Sequence, residues 1–522
     1  MTIFILGASV MQLPAIKIAK RLGWFVAVAD ANPDAPGVAI ADEFFDADLK
    51  DTNSLIDAAK KLKESRGLDA VFTAGTDFST SVAIVAEAMG LPGIPYDVAL
   101  RAKNKAVMRK TLADFGIPVP RWFVYRKGDK LEDGFKSLGN GPWVVKPADN
   151  MGARGVVLAY SEEEAFSAVD DAIRFSPSGE VIIEDFIDGP EFSIDALVYN
   201  GEVHICGVAD RHIYFPPYFV ELGHTMPTSA SRQVISELED VFKKAVVAIG
   251  IKNGAAKGDV FYSKNGPVIG EIAARLSGGY MSGWTYPYSS GTDITEHALK
   301  IAAGLAPGDL SPKWHKTSAE RAFISIPGRV SGIDGLDTAR LSLGIKKVFC
   351  RIKQGDIVNF PVNNVQKCGN IISQADTRES ATSCAEKAVS RIKIILEPDN
   401  KMTRDFLFFD NNLPWAFPLD YTERRLQRLF SEPDSENQEN KIIKKNNLTI
   451  LLPRWLLTIE KRDWHYQTIT QILDELIEYA ANNIKKKTIL SGKFWRALLK
   501  GGYQGARWYI DTITSGKQPY RE

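Results

Sequence analysis

Several features that would indicate a specialised class of protein are missing from this chain of 522 residues. It has only four cysteines, and no two of them form a C-x-x-C pair, so we expect ordinary thiols in a reducing cytosol. Lysine plus arginine and aspartate plus glutamate both total 64, and this neutral balance argues against a dedicated nucleic-acid-binding protein. The sequence has no signal-peptide pattern at its start and no run of 18 apolar residues, so it predicts a soluble, cytoplasmic protein.

What the sequence does contain is typical of a multidomain globular protein. Hydrophobic residues make up 45% and charged residues 25% of the chain. Alternating strand and helix patterns at the start predict a parallel α/β domain, and hairpins later predict an α+β body with antiparallel sheets. The predicted divisions are an α/β domain over 1–100, a central domain over 101–305, a smaller capping piece over 306–400, and a helix-rich appendage over 401–522 with a polar linker near 431–447.

The first candidate site element is a buried-type strand that carries one lysine. Lys146 lies in this strand, and a turn with small residues follows at Met151-Gly152-Ala153. Small residues let backbone N–H groups approach phosphate oxygens closely, and the lysine adds a positive charge for the same phosphates. An ordinary surface hairpin with an exposed lysine fits this segment about equally well.

The second element is the end of a later strand, Glu184-Asp185-Phe186-Ile187, followed by Glu191. A carboxylate together with backbone N–H and C=O groups can read an adenine, and a second carboxylate seven residues on can hold two ribose hydroxyls. The alternative is a polar strand end without a ligand.

The third element carries the most information. Asp259 and Glu271 lie on the two arms of a predicted hairpin around Asn265-Gly266, and Arg275 follows. Strand pairing would bring the two carboxylates to neighbouring positions, where they would repel unless a cation such as Mg²⁺ lay between them. Arg275 would then neutralise charge on a transferred phosphoryl group. An exposed hairpin with solvated acids is the alternative.

Taken in order along the chain, these signals resemble the ATP-grasp superfamily. Within it, the chain resembles the branch of carboxylate–amine ligases, purine-biosynthetic carboxylases and the carbamoyl phosphate synthase large chain. The resemblance spans residues 1 to about 400 and implies an ATP-grasp fold with a preceding α/β domain and a C-terminal capping piece. The supporting segments are Gly7-Ala8-Ser9 with Gln12, Asp30-Ala31-Asn32-Pro33, Ala41-Asp42, Cys368-Gly369-Asn370 and Ala375 to Ala381.

The resemblance also implies a role for each matching position. It implies ATP as substrate with Mg²⁺, or alternatively Mn²⁺, as the metal. The implied assignments are Lys105 and Lys146 with the loop Met151, Gly152 and Ala153 for the phosphates, Glu184, Phe186 and Ile187 for adenine, Glu191 for ribose, Asp259 and Glu271 for the metal, and Lys257 and Arg275 for catalysis.

One position departs from the pattern of the superfamily. Many members have asparagine two residues after the metal-binding glutamate, as a further metal ligand, whereas this chain has Ala273. The loss of one oxygen ligand leaves two interpretations, an active enzyme whose metal keeps an extra water or a protein with a weakened metal site and a non-catalytic role. Because the other elements are retained, we favour activity.

Two further regions give weaker signals. An aromatic and proline-rich loop at 214–219 is flanked by Arg211, Glu221 and His224, which we predict as substrate contacts together with Gly278 in the turn after Arg275. A folded loop with satisfied polar groups is an equal alternative. The basic, aromatic tail from Lys485 favours a helical cap packed on the body over a contact with an anionic membrane surface.

The sequence therefore predicts a Mg²⁺- and ATP-dependent ligase that activates a carboxylate as an acyl phosphate and passes it to an amine or amino acid. The partners would be small molecules and a second copy in a homodimer. A bicarbonate-using enzyme, similar to a carboxylase or to carbamoyl phosphate synthase, and a non-catalytic ATP sensor remain the alternatives.

Overall fold

The structure, a computed structural model, describes residues 1–409, 412–420, 424–431, 440–490 and 492–517. The chain divides into two compact units, Met1–Glu320 with Gln374–Ala381, and Arg321–Ser373 with Thr382–Glu522. The predicted boundary near residue 100 does not separate compact units, because one core contains residues from both sides of it. Ile3 and Ile5 of the first strand belong to the same buried cluster as Leu197 and Ala255.

The first unit opens with a parallel sheet, as the sequence predicts. Four strands have the spatial order β3-β2-β1-β4, and all their pairings are parallel. All five residues of the first strand are buried, as expected for a parallel sheet covered on both faces. The elements are β1 Thr2–Leu6, α1 Leu13–Arg21, β2 Phe25–Asp30, β3 Glu43–Asp46, α2 Thr52–Arg66, β4 Ala70–Phe72 and α3 Ser79–Met89.

A smaller antiparallel sheet comes next in the chain. Its strands have the order β5-β8-β6-β7, and helices α6 and α7 accompany it. Along the chain, its second strand, β6, carries Lys146, and its fourth strand, β8, carries Glu184 near its end. The elements are α4 Tyr96–Lys103, α5 Lys105–Asp114, β5 Trp122–Tyr125, α6 Leu131–Leu138, β6 Trp143–Pro147, β7 Val157–Ala159, α7 Glu162–Phe175 and β8 Val181–Asp185.

A larger antiparallel sheet completes the first unit, with the order β13-β12-β9-β10-β11-β14. Helix α8 packs on it through one apolar face, begins at the N-cap Ser231 and ends before Gly250, whose φ is 98°. The elements are β9 Glu191–Tyr199, β10 Glu202–Tyr214, β11 Val220–Met226, α8 Arg232–Ile249, β12 Gly254–Ser263, β13 Gly266–Ala273, α9 Tyr286–Ser290, α10 Ile294–Ala302 and β14 Thr317–Phe323, which runs across the unit boundary. Antiparallel sheets of this kind confirm the predicted fold class.

The remaining elements build the second unit, with β18 and α12 crossing its boundary. A strand pair β16–β18, a sheet β17-β15-β19 and a sheet β20-β21-β22 are combined with helices. The elements are β15 Gly328–Asp334, α11 Leu336–Arg340, β16 Ile345–Cys350, β17 Ile357–Val358, β18 Gly369–Ala375, α12 Arg378–Arg391, β19 Lys393–Leu396, α13 Lys401–Phe408, α14 Arg424–Ser431, β20 Asn440–Lys445, β21 Leu448–Pro453, α15 Ile469–Asn483, β22 Thr488–Leu490 and α16 Gly492–Thr514.

The predicted appendage over 401–522 is wrong as a separate module, because its last helix lies in the same core as residues 321–400. The side chain of Gln504 accepts a hydrogen bond from the Ile326 N–H at 3.1 Å and donates to Ser325 Oγ at 2.8 Å. The indole of Trp508 donates to the Glu397 carbonyl at 2.9 Å. The aromatic residues of the tail are therefore part of a buried interior, which agrees with the predicted packed cap.

The predicted polar linker near 431–447 is wrong over its last part. Residues 440–445 form β20, which pairs along its whole length with β21, and 446–447 form the turn between them. Residues 432–439 of the predicted linker lie outside the described residues. Within the described ranges, none of the helices combines the length and apolar character that a membrane span requires.

Candidate active site

Helix α5 places a lysine and an arginine one turn apart at the start of the site. Its N-cap Asn104 accepts hydrogen bonds from the N–H groups of Ala106 and Val107, which fixes the first turn. Because Lys105 and Arg109 are four residues apart, both project from the same face of the helix. Lys105 is 7% exposed and Arg109 is fully buried, so both cations are committed to interactions inside the protein.

A buried chain of charges connects Arg109 to the strand lysine. The Arg109 Nε lies 2.6 Å from one oxygen of Glu184, and the Lys146 ammonium lies 2.5 Å from the other. Burial on its own would raise the pKa of Glu184, but the two cations outweigh it and hold the pKa below its usual value. Burial lowers the pKa of Lys146, and Glu184 opposes that shift.

The structure shows Glu184 as the partner of two cations, and its predicted role at adenine stays a prediction. Its carboxylate is 3% exposed, and each of its oxygens pairs with one cation. The backbone N–H of Phe186 is also engaged, because it donates to the Pro142 carbonyl at 3.0 Å. Glu184 thus contacts Lys146 directly, at the same strand end where Phe186 and Ile187 follow.

The predicted phosphate loop lies against Lys105. The Lys105 ammonium donates to the Asn150 carbonyl at 2.7 Å, directly before Met151. Gly152 and Ala153 follow with φ values of 71° and 58°, a left-handed pair that turns the backbone sharply. Consecutive residues of this kind expose backbone N–H groups, which suits an anion at this loop.

The two predicted metal ligands are direct partners across a strand pair. Asp259 of β12 and Glu271 of β13 stand opposite each other, at a bulge that follows Asp259. Glu271 lies 3.9 Å from the Lys105 ammonium. Burial opposes the charged form of Glu271, but Lys105 and the neighbouring cations outweigh burial and lower its pKa to about 2. We call Asp259 and Glu271 the acid pair, and the charges of both predicted lysines, Lys105 and Lys146, act on Glu271.

Lys257 and Arg211 hold the other member of the acid pair. The Lys257 ammonium forms an ion pair with Asp259, and the Arg211 guanidinium lies 3.0 Å from the same carboxylate. Arg211 also pairs with Glu191 and Glu221. Burial raises the pKa of Glu191 to about 7, with Arg211 acting against the shift. Arg211 thus joins three predicted site residues: Glu191 for ribose, Asp259 for the metal and Glu221 for the substrate.

His224 extends this network along strand β11. Its Nε2 lies 2.9 Å from Glu221 and its Nδ1 lies 3.2 Å from Glu320. Burial would lower the pKa of His224, but the two carboxylates outweigh burial and raise it to about 9. A cationic imidazole between two carboxylates is therefore the stable state of this part of the site at neutral pH.

The turn after β13 closes the site on the side of the N-terminal sheet. Gly278 packs against Gly75, where a Cβ on Gly75 would come within 3.3 Å of the Gly278 Cα, so this approach leaves no room for a side chain. Arg275 precedes this turn and donates to the Leu276 carbonyl at 3.0 Å. Ala273 stands opposite Lys257, so the position that carries asparagine in many relatives offers no oxygen here.

Three buried residues of the site were missed by the sequence reasoning. Arg109 could have been found from its four-residue spacing to Lys105 on one helix. Asp195, which accepts hydrogen bonds from Ser277 at 2.7 and 3.2 Å, and Glu320 have no local motif. Asp195 joins the site through the register of its strand with β12. Glu320 lies on β14, more than forty residues after the acid pair in the chain.

Comparisons with known proteins identify the kind of domain that contains this arrangement of residues. A family model described as ATP-grasp domain matches residues 140–283, which include the strand lysine, the glycine-containing loop and the acid pair. These residues are an ATP-grasp domain, and the solved structures that the chain resembles show the same fold. A second model, described as L-amino acid ligase C-terminal domain 2, matches residues 322–397.

The individual proteins that the chain resembles are distant in sequence. An uncharacterized protein, y4rH, of Sinorhizobium fredii is 25% identical over 390 residues, 73% of this chain and 80% of that protein. Dapdiamide A synthase of Enterobacter agglomerans is 24% identical over 193 residues, which span 35% of this chain and 45% of that enzyme. The crystal structure of L-amino acid ligase from Bacillus licheniformis superimposes with a TM-score of 0.66 at 23% identity, over 76% of this chain and 98% of that one.

Proposed function

We propose that this ATP-grasp chain is an ATP-dependent ligase that activates a carboxylate as an acyl phosphate and transfers the acyl group to an amine, with amino acids as the leading class for both substrates. The observation that carries the proposal is the meeting of Lys105, Lys146 and the acid pair in one buried cluster, with Lys105 3.9 Å from Glu271. Neighbouring lysines can neutralise the phosphates of a nucleotide, and neighbouring carboxylates can bind the metal ion that accompanies those phosphates.

The proposed reaction has two steps. A carboxylate oxygen attacks the γ-phosphorus of ATP, the bond to the β-phosphate oxygen breaks, and ADP leaves. The amine nitrogen then attacks the acyl carbon, loses a proton, and expels inorganic phosphate as the C–N bond forms. The protein positions the reactants and neutralises charge, with Lys105 and Lys146 on the phosphates and Arg275 near the charge that develops on the transferred group.

Magnesium fits the acid pair. Asp259 and Glu271 are hard oxygen ligands at one register position, and the cations around Glu271 keep it ionised. Among the described residues, no three acidic, histidine or cysteine side chains converge on one point as metal ligands, so the ion would take its remaining ligands from phosphates and water. When bound, the ion would neutralise phosphate charge; manganese has the same ligand preference.

Arg211, Glu221 and His224 support a substrate side of the site next to Asp259. They form one buried network with alternating charges, and the turn of Gly278 and Gly279 packs directly on it. A Cβ at Gly279 would lie 3.0 Å from the His224 ring, so a glycine is what allows the backbone to lie this close to the network. Alternating charges in a buried site suit a zwitterion such as an amino acid, whose ammonium and carboxylate need opposite partners.

A substrate screen tests the proposed function. The full chain is incubated with Mg²⁺, ATP and a panel of amino acids, alone and in pairs, and with bicarbonate, and release of ADP and phosphate is followed with product masses. The proposal expects ADP formation that depends on an amino acid and a product heavier by an acyl group. ADP formation with bicarbonate alone would support the carboxylase instead, and ATP binding without ADP under every condition would support a sensor.

The metal assignment gives a sharper test through Glu271→Gln. The amide keeps the shape but removes one anionic ligand, so we expect turnover to fall by roughly 100-fold or more, with ATP binding less dependent on Mg²⁺. Glu202→Gln is the matched control, because Glu202 is 77% exposed in its side chain at the far end of β10. Equal turnover in Glu271→Gln and Glu202→Gln, with unchanged melting temperatures, would remove the metal assignment.

A further inference from the structure

A cavity inside the first unit lies next to the proposed reaction centre. Its volume is about 60 Å³, and it is partly open to solvent. Its walls are helix α3, helix α10, the start of β12 and the residues that follow β13. The lining is mostly apolar, and one charged side chain, Arg275, contributes to it.

The cavity exists because several elements present small residues to the same space. On α3, Val82, Ala83 and Ala86 line it from one face of the helix, and on α10 Ala298 and Ala302 line it one turn apart. Close packing of protein interiors normally fills such space with larger side chains. Alanine at four of these positions therefore keeps open a volume that a leucine at any one of them would occupy.

Arg275 connects the cavity to the acid pair. Its charge contributes to the low pKa of Glu271, and among its neighbours Asp77 is also within electrostatic reach. One nitrogen donates to the Leu276 carbonyl, whereas the Nε is buried and has no acceptor. The Arg275 guanidinium borders the cavity and carries further N–H donors, which suit a carboxylate.

We propose that this cavity binds the apolar side chain of the carboxylate substrate, whose carboxylate pairs with Arg275 at the boundary between the cavity and the acid pair. This inference rests on the proposed ligase function and adds the substrate class to it: a carboxylic or amino acid with an unbranched or singly branched aliphatic chain. The apolar cavity and the Arg275 guanidinium then form one continuous site. Short acids would leave the cavity partly empty and would bind weakly.

The expected dependence on chain length follows from the burial of methylene groups. Each methylene that enters an apolar cavity improves binding about three- to fourfold. Straight-chain 2-amino acids from glycine to norleucine, and the corresponding unsubstituted acids, form the two probe series. We expect kcat/KM to rise along one of these series and to fall again once the chain exceeds the cavity.

Two variants fill the cavity from different walls, and a third serves as control. Ala83→Leu acts from α3 and Ala302→Leu from α10, so a folding defect in one does not remove the test. Ala88→Leu adds the same side chain to α3 at an exposed position. Both filling variants should lower kcat/KM for norleucine or hexanoate at least tenfold, mainly through KM, and change kcat/KM for glycine or acetate less than threefold.

Binding of the same acids is also measured by calorimetry without turnover, which separates this inference from the proposed function. If norleucine or hexanoate binds the wild-type chain and loses affinity in both filling variants, but no ADP forms, the cavity assignment stands and the ligase proposal falls. If ADP forms but the long and short acids respond alike to Ala83→Leu, Ala302→Leu and Ala88→Leu, the cavity assignment is overturned and the ligase proposal stands.

Discussion

At the scale of single residues, His224 has an unusual electrostatic position. It is 3% exposed and lies between Glu221 and Glu320, which stabilise its cationic form against the cost of burial. The pKa of about 9 in the folded protein exceeds the ordinary value of 6.5. Below pH 6.5 both the folded and unfolded chains bind the proton, so the full stabilisation is present there.

We therefore predict that stability falls as the pH rises through 9. Between pH 6.5 and pH 9 the unfolded chain releases this proton while the folded chain keeps it, so the stabilisation of about 3 kcal/mol from this one group is lost progressively and is gone above pH 9. Thermal melting is measured at pH 7.5 and pH 9.5, both above the pKa of Glu191, for the wild type and for His224→Gln. The wild type should lose several degrees more than the variant, and an equal loss in both would contradict the assignment.

The residue scale also shows which site positions a sequence can reveal. Asp259 and Glu271 were predictable because the Asn265-Gly266 turn fixes the register of the hairpin, and register alone decides which side chains oppose each other. The two cations that pair with Glu184 were not predictable, because they lie 38 and 75 positions away from it in the chain. No local pattern reports such distant partners.

At the scale of elements, the long C-terminal helix is interrupted at one residue. Helix α16 runs from Gly492 to Thr514, but Gly502 has φ 61° and ψ −149°, a conformation that almost only glycine adopts. A Cβ at this position would lie 2.6 Å from an oxygen of Asp463, a buried carboxylate whose pKa burial raises to about 6. The break directs both halves of the helix into the core of the second unit.

Gly502→Ala should therefore destabilise the second unit by about 2–4 kcal/mol, through the strained backbone and the contact with Asp463. Gly516→Ala is the control, because Gly516 also has a positive φ of 81° but has open space around it. We expect a clearly larger fall of the urea unfolding midpoint in Gly502→Ala than in Gly516→Ala. Similar falls would show that the contact with Asp463 adds nothing to the backbone strain.

At the scale of the whole molecule, the second unit depends on the last hundred residues of the chain. A Cβ on Gly501 would lie 2.8 Å from Leu407 and 3.3 Å from Ile326, which shows how closely α16 packs on residues of the early part of this unit. Removing that helix would expose Ile326 and Leu407, both fully buried in the intact chain. Large exposed apolar surfaces of this kind promote aggregation.

A chain that ends at residue 431 should accordingly aggregate or lose its cooperative melting transition. A chain that ends at residue 517 retains every described element and serves as the control. Size-exclusion chromatography and melting curves compare the two. A monodisperse shorter chain that melts like the control would mean that residues 440–517 are a separable module, as the sequence suggested.

The sequence by itself determined the local elements and the chemistry of the nucleotide site. Period-two and period-3.6 patterns predicted the sheets and helices, and a turn between two strands predicted the acid pair, because these depend on interactions between near neighbours. The tertiary structure decided the rest: the pairing of Glu184 with Arg109, the position of Glu320 beside His224, and the place of the tail inside the second unit. These depend on how distant segments pack, and burial, which governs both pKa values and the cavity beside Arg275, arises only from that packing.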